Sequence, residues 1–207
     1  MHGRQCAAAY STAAPAGHAS LDGRRVGTYV IAAMAILPII TAPDPRLKVR
    51  AKPVAKVDDK VRRFMADMLE TMYKAPGIGL AAPQVGAALQ VIVVDCARDG
   101  EKPQPVKLAN PQILWRSDER ITVNEGCLSL PEHYADVERP AAIRVRFLDE
   151  ENELRELEAK GLLATCIQHE MDHLQGVLFV DHISPLKRNI ILRKLAKSKR
   201  QKVPVPA

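Results

Sequence analysis

The sequence predicts an α+β domain in which mixed or antiparallel strands wrap around a central helix, with a further helix at the C-terminus. Three observations predict it. A helical periodicity comes first, several short β-branched runs fill the middle, and two more helical patterns close the chain. At 207 residues the chain has enough apolar material for one real core. Only 4% of it is aromatic, so Val, Ile, Leu, Met and Ala must build that core.

Residues 1–33 are rich in Ala, Gly, Ser and His and follow neither period, which places them outside the fold as a disordered leader or the product of a mis-assigned start. Met34 is a sensible initiator, and an organelle transit peptide is the other reading of the leader. The apolar run from Val30 to Ile40 contains Pro38, is too short to span a bilayer and reads as a strand. From Asp58 to Tyr73, Val61, Phe64, Met65, Met68, Leu69 and Met72 recur at helical spacing behind a capping Asp58 or Asp59. Pro76 and Gly77 end that helix and open a glycine-bearing loop through Gly86.

Strands follow at Gln90–Asp95, Val106–Leu114, Arg120–Val123, Ala142–Leu148 and Leu154–Leu157. A second helix covers Leu162–Gln175 and stops at Gly176. A third runs from Ser184 to about Lys199, docked by Leu186, Ile190 and Leu195. No repeat or linker divides the chain, so a catalytic domain spans 34–185 and a basic helix and tail spans 186–207.

Charge is unevenly placed. Eight basic residues and no acid lie between Lys187 and Lys202, more than the whole net charge of +6, so a basic tail follows a slightly acidic domain. A polyanion partner fits such a tail. Four scattered cysteines, Cys6, Cys96, Cys127 and Cys166, do not make a disulfide framework and suit a reducing cytoplasm.

The chemistry is concentrated in His169-Glu-Met-Asp-His173. Residues four apart share a helical face, so two imidazoles meet one point with Glu170 beside them, the pattern of a metal-binding helix, with two ordinary helical histidines as the alternative reading. A carboxylate next to a divalent metal can take a proton from water and return it to a leaving amine. A catalytic metal needs a third ligand. The positions three and six beyond His173 hold Gly176 and Phe179, and no Glu follows Glu170, so the common zinc-peptidase arrangements fail. Cys166 and His173 would stand about 10 Å apart along the axis. The better candidate is Cys127 in Asn124-Glu-Gly-Cys-Leu-Ser-Leu-Pro131, where a strand ends in a glycine-bearing bend; from that segment alone a buried structural cysteine is an equal reading.

Three segments, Gly77-Ile-Gly-Leu-Ala-Ala-Pro-Gln84, Glu125-Gly-Cys-Leu-Ser129 and Gln168-His-Glu-Met-Asp-His-Leu174, resemble in kind and order the motifs of peptide deformylases, and the layout looks most like the Gram-negative bacterial type. The resemblance implies that Cys127, His169 and His173 hold one divalent metal, Fe²⁺ in preference to Zn²⁺, Ni²⁺ or Co²⁺, and that Glu170 is the acid/base. It implies removal of the N-formyl group from the initiator methionine of nascent peptides. Gln84 and the backbone N–H of Leu128 would meet the developing negative oxygen. Main chain around Ile78, Gly79 and Gly126 would pair with an extended substrate. Val123, Leu162, Thr165 and Cys166, with Ile78, would wall the methionine pocket. Glu125 would pair with Arg139. Tyr134 stands where many bacterial relatives carry Arg, so preferences beyond the first residue would differ. The basic helix would contact the ribosome, and the enzyme would be a cytoplasmic monomer with no membrane contact. A metallopeptidase is the enzymatic rival, and an RNA-binding module led by residues 187–202 is the other class.

Overall fold

The computed structural model describes residues 35–97 and 100–202, with side chains as far as Ser198. The expected leader, residues 1–33, lies outside the described residues. Residues 35–40 are not a strand. Pro38 has no N–H for a ladder, and the neighbouring amides are satisfied elsewhere: Ala35 N donates to Asp67 Oδ1 (2.9 Å), Leu37 N to Thr71 Oγ1 (2.9 Å) and Ile40 N to the Gln84 carbonyl (2.7 Å).

Helix α1 (Asp59–Lys74) begins where predicted. Asp58 caps it by accepting from Lys60 N and Val61 N. Its Met65, Met68 and Met72 are fully buried, each contributing about 1.5–3 kcal/mol relative to exposure. The glycine-bearing loop after it is more ordered than expected: it holds the short strand β1 (Gly79–Ala81) and a 3₁₀ turn, Ala82–Val85.

β1 pairs antiparallel with β2 (Val91–Val94), and the sheet continues through β3 (Val106–Arg116), β6 (Ala142–Leu148) and β7 (Leu154–Lys160), in the order β1-β2-β3-β6-β7. β4 (Arg120–Cys127) and β5 (Leu130–Pro140) form a separate two-stranded ribbon. Two expectations change here. The strand expected over Arg120–Val123 continues as β4 through Gly126 to Cys127, with a register shift between those two residues, and β5 was not predicted at all. Pro131, Pro140 and several charges hide β5 from a period-2 reading. Within it the only buried residues are Leu130, Val137 and Arg139.

Helix α2 (Gly161–Leu174) is buried without interruption from Ala164 to Glu170. It touches β1, β2, β6 and β7 of the large sheet and β5 of the ribbon, so strands do wrap the helix. Gly176 follows it at φ +73°, with the Lys48 backbone where a side chain would start. Helix α3 (Pro185–Lys202) docks differently from the expected pattern: Leu195 is buried with Ile191 and Leu192 around it, whereas Leu186 and Ile190 are exposed. Exposed and docked sides are both apolar here, so periodicity could not choose between them.

Candidate active site

The α2 spacing does what the pattern demanded. The rings of His169 and His173 lie 5.1 Å apart, edge to face. Cys127, the last paired residue of β4 before the Leu128-Ser129 turn, brings Sγ to 3.2 Å from His173 Nε2. One ligand atom from each of Cys127, His169 and His173 falls within 4.8 Å of the others, the spacing a single ion requires. Cys166 stands outside this group. Its Sγ lies against the Ile78 carbonyl at 3.3 Å, in the core and in the cavity wall.

His169 Nδ1 sits 2.8 Å from Glu125 Oε2, which leaves Nε2 for a ligand bond. Arg139 grips the same carboxylate with Nε (2.5 Å) and Nη2 (3.0 Å), so the expected Glu125–Arg139 pair is present, and both side chains are buried. Burial pushes the Glu125 carboxyl up, but the His169 and Arg139 bonds outweigh it and bring its pKa down from 4.5 to about 2.

The donor set suits a cation. Burial alone would discharge His169, yet the Cys127 thiol and the Glu125 carboxylate outweigh it and raise its pKa well above that of free imidazole. His173 is driven the other way, by burial and then by the charge on His169. A thiol and two imidazoles are donors that bind a divalent ion once deprotonated, and an ion there would displace the proton that His169 otherwise holds.

Glu170 lies beside this cluster, 4% exposed, with Oε2 buried and unpartnered. Burial is the main reason its pKa rises to about 7, within range of taking and returning a proton near neutrality. Gln84 is held from the opposite wall. Ala81 N donates to its Oε1 (2.7 Å), which turns the amide Nε2 toward Ser129 Oγ (3.2 Å) and Cys127 Sγ (3.5 Å).

These groups open onto a cavity of about 480 Å³. Ile78, Gly79, Gln84, Val123, Gly126, Cys127, Leu128, Leu162, Thr165, Cys166, His169 and Glu170 all line it, whereas His173, 1% exposed, lies behind them. Ile78 and Leu162 are half exposed at its mouth. β1 is an edge strand, and β4 belongs to a ribbon with both edges free. The cavity therefore lies between backbones that can still accept a partner. Gly79 is essential to its shape, because a Cβ there would stand 2.7 Å from Cys166 Sγ and 2.9 Å from Glu170 Cδ. Sequence reasoning missed His133 and Glu132 in the wall and Ser129 behind Gln84; the first two lie on β5, and Glu132 departs from strand geometry at φ +63°.

Comparison with known proteins agrees with this geometry. The polypeptide deformylase family matches residues 36–189. A peptide deformylase of Mesorhizobium japonicum is 52% identical over 171 residues, 83% of this chain and 97% of that protein. One from Phenylobacterium zucineum is 56% identical over 164 residues, 79% and 97% of the two chains. Among solved structures, a Legionella pneumophila peptide deformylase superposes with a TM-score of 0.76 at 43% identity, covering 83% of this chain and 100% of its own. An Ehrlichia chaffeensis peptide deformylase in complex with actinonin gives 0.78 at 38% identity, covering 81% and 99%. On its motifs, its fold and these matches, the chain belongs to the polypeptide deformylase family.

Proposed function

We propose that this chain hydrolyses the N-formyl group from the initiator methionine of newly made polypeptides, releasing formate, with Cys127, His169 and His173 holding one divalent metal and Glu170 as the acid/base. The observation that carries the reading is the convergence, in one cavity, of the thiol and imidazole cluster with a buried carboxylate of raised pKa and an amide donor. A bound divalent ion would make water nucleophilic at neutral pH and polarise the formyl oxygen. Glu170 takes the proton from the attacking water at its unpartnered Oε2 and returns it to the leaving amine. Gln84 Nε2 and the Leu128 backbone N–H donate to the oxygen that becomes negative. An extended peptide adds to the backbones at Ile78–Gly79 and Gly126, which reads its first side chain and leaves later ones free to vary. Val123, Leu162, Thr165 and Cys166 receive the methionine.

Kinship favours Fe²⁺ as the physiological ion, with Zn²⁺, Ni²⁺ or Co²⁺ able to occupy the same donors. A thiol ligand must stay reduced, which supports the bacterial cytoplasm as the setting. We assign the catalytic body to 34–185 and residues 1–33 to a leader or a mis-assigned start. Exposed Lys187, Arg193, Lys194 and Lys197 on α3 support ribosome contact. Truncation after Pro185 would also remove Leu195 from the core, so replacing those four by Glu is the better variant. It should weaken ribosome co-sedimentation and spare turnover of short peptides, and undiminished binding would reject the contact.

Formyl-Met-Ala-Ser with formate detection tests the reaction. Cys127→Ala should lose metal and activity together, whereas Glu170→Ala should keep metal and lose about 10²–10⁴ in kcat. Peptide-bond cleavage without formate would favour a metallopeptidase, and equal metal loss in both variants would reject the role given to Glu170.

A further inference from the structure

Cys127 and the two histidines come from elements that no hydrogen-bonded ladder joins. The thiol is carried by the β4–β5 ribbon, which is a sheet by itself, and both imidazoles by α2. Regular secondary structure therefore does not set the distance from Sγ to the rings. It depends on side-chain joints between ribbon and helix.

Two such joints are built around Arg139. This residue faces Ile121 in the ribbon's register and is 5% exposed. Its Nε and Nη2 hold Glu125 on the neighbouring strand, and Glu125 reaches His169. Its remaining terminal nitrogen, Nη1, donates to Asp172 Oδ2 at 2.9 Å. The first joint acts on a ligand ring, the second on the helix itself one residue before His173. A single joint would leave the ribbon free to pivot about it; the second restrains that pivot. Asp172 lies outside the cavity wall, so it does not touch a bound peptide. The same Oδ2 lies 2.7 Å from His182 Nε2, in the short turn Phe179–His182, and Phe179 of that turn stacks on His169 with ring centres 6.3 Å apart. Ribbon, metal helix and turn thus meet at one carboxylate oxygen.

We propose that Asp172 is a positioning residue whose anchorage of Arg139 sets the spacing between the Cys127 thiolate and the His169 and His173 imidazoles, and so the affinity of the site for a divalent ion. This rests on the reading of those three residues as the ligand set. Its charge carries the effect through a buried guanidinium, although the carboxylate itself is one-quarter exposed and partly screened.

Co²⁺ is the probe, since a thiolate bound to it gives a charge-transfer band that reports the sulfur–metal bond directly. Competition against a chromophoric chelator measures affinity, and denaturant unfolding is run on the same samples. Asp172→Ala should weaken Co²⁺ binding about 10–100-fold, as loss of a residue supporting a ligand does. It should also reduce or shift the thiolate band, with the KM for formyl-Met-Ala-Ser at saturating Co²⁺ unchanged. Asp172→Asn keeps an acceptor for Arg139 and should recover part of the affinity, and it serves alone if the alanine variant does not fold. Wild-type affinity and an unaltered band in the variant that folds would overturn the proposal, as would a drop in unfolding midpoint with no change in the band. A wild-type protein lacking the thiolate band, or a Cys127→Ala protein retaining it, would instead overturn the ligand set.

Discussion

Gly79→Ala isolates how closely β1 is fitted to the Glu170 carboxylate. The added methyl would begin 2.7 Å from Cys166 Sγ and 2.9 Å from Glu170 Cδ, and nearer still to Glu170 Oε1. Unstrained contacts of carbon with such atoms relax at roughly 3.5 Å, so something must retreat by about 1 Å. The strand is poorly placed to do so: Gly79 is paired with Val94, and Leu80 and Ala81 beside it are fully buried. Cys166 is fixed in the core of α2. Glu170 has an unpartnered Oε2 and is the group that yields. Misplacing a reacting group by about 1 Å costs on the order of 100-fold in rate, and overpacking adds about 1–3 kcal/mol of destabilisation. The expected outcome is a kcat for formate release lowered by that order, with metal content unchanged and a modest fall in the urea midpoint. As a control, Gly77→Ala meets only the Leu128 side-chain end at 2.7 Å, which can swing aside, and should be far milder. A Gly79→Ala enzyme with wild-type kcat and midpoint would refute the fit of strand to carboxylate.

Other perturbations test the surrounding structure. Glu125→Gln leaves buried Arg139 with Asp172 as its remaining carboxylate, so the cost in urea unfolding should fall below the about 3–5 kcal/mol of a fully unpaired buried charge, with weaker metal binding through His169. Because the folded pKa of Glu125 is depressed from 4.5 to about 2, its stabilisation is complete above the unfolded value and disappears as pH falls through that interval. The stability gap between wild type and Glu125→Gln should therefore shrink on acidification from about pH 5 to 2; a gap independent of pH would reject the linkage. Gln84→Glu removes the amide donor while keeping the size, and should lower kcat about 10²–10³-fold with little change in KM. Gly176→Ala forces a side chain to φ +73° and to 2.5 Å from the Lys48 carbonyl oxygen. It should destabilise by about 1–3 kcal/mol while leaving metal affinity intact, measured by unfolding and chelator competition.

What the sequence determined by itself is whatever depends on short-range periodicity. α1 and α2 were legible because apolar residues and histidines at spacings of three and four define a face without reference to anything distant, β2 because its β-branched run is buried on both sides, and β6 because buried Ile143, Val145 and Phe147 alternate with Arg144 and Arg146. His169, His173 and Glu170 belong to that class, and the family motifs extended the reading to Cys127 and Gln84. Tertiary structure decided the rest. β5 became a strand only because β4 offered it a partner, despite Pro131, Pro140 and its charges. Leu195, not Leu186 or Ile190, docked α3, a choice made by the surface beneath it. Asp172, Arg139 and His182 have no common spacing in the chain, and they meet because a ribbon, a helix and a turn pack at one point. Ligand identity is a local property of residue type and period, whereas the distances that let a thiol and two imidazoles share one ion are set by the packing of separate elements.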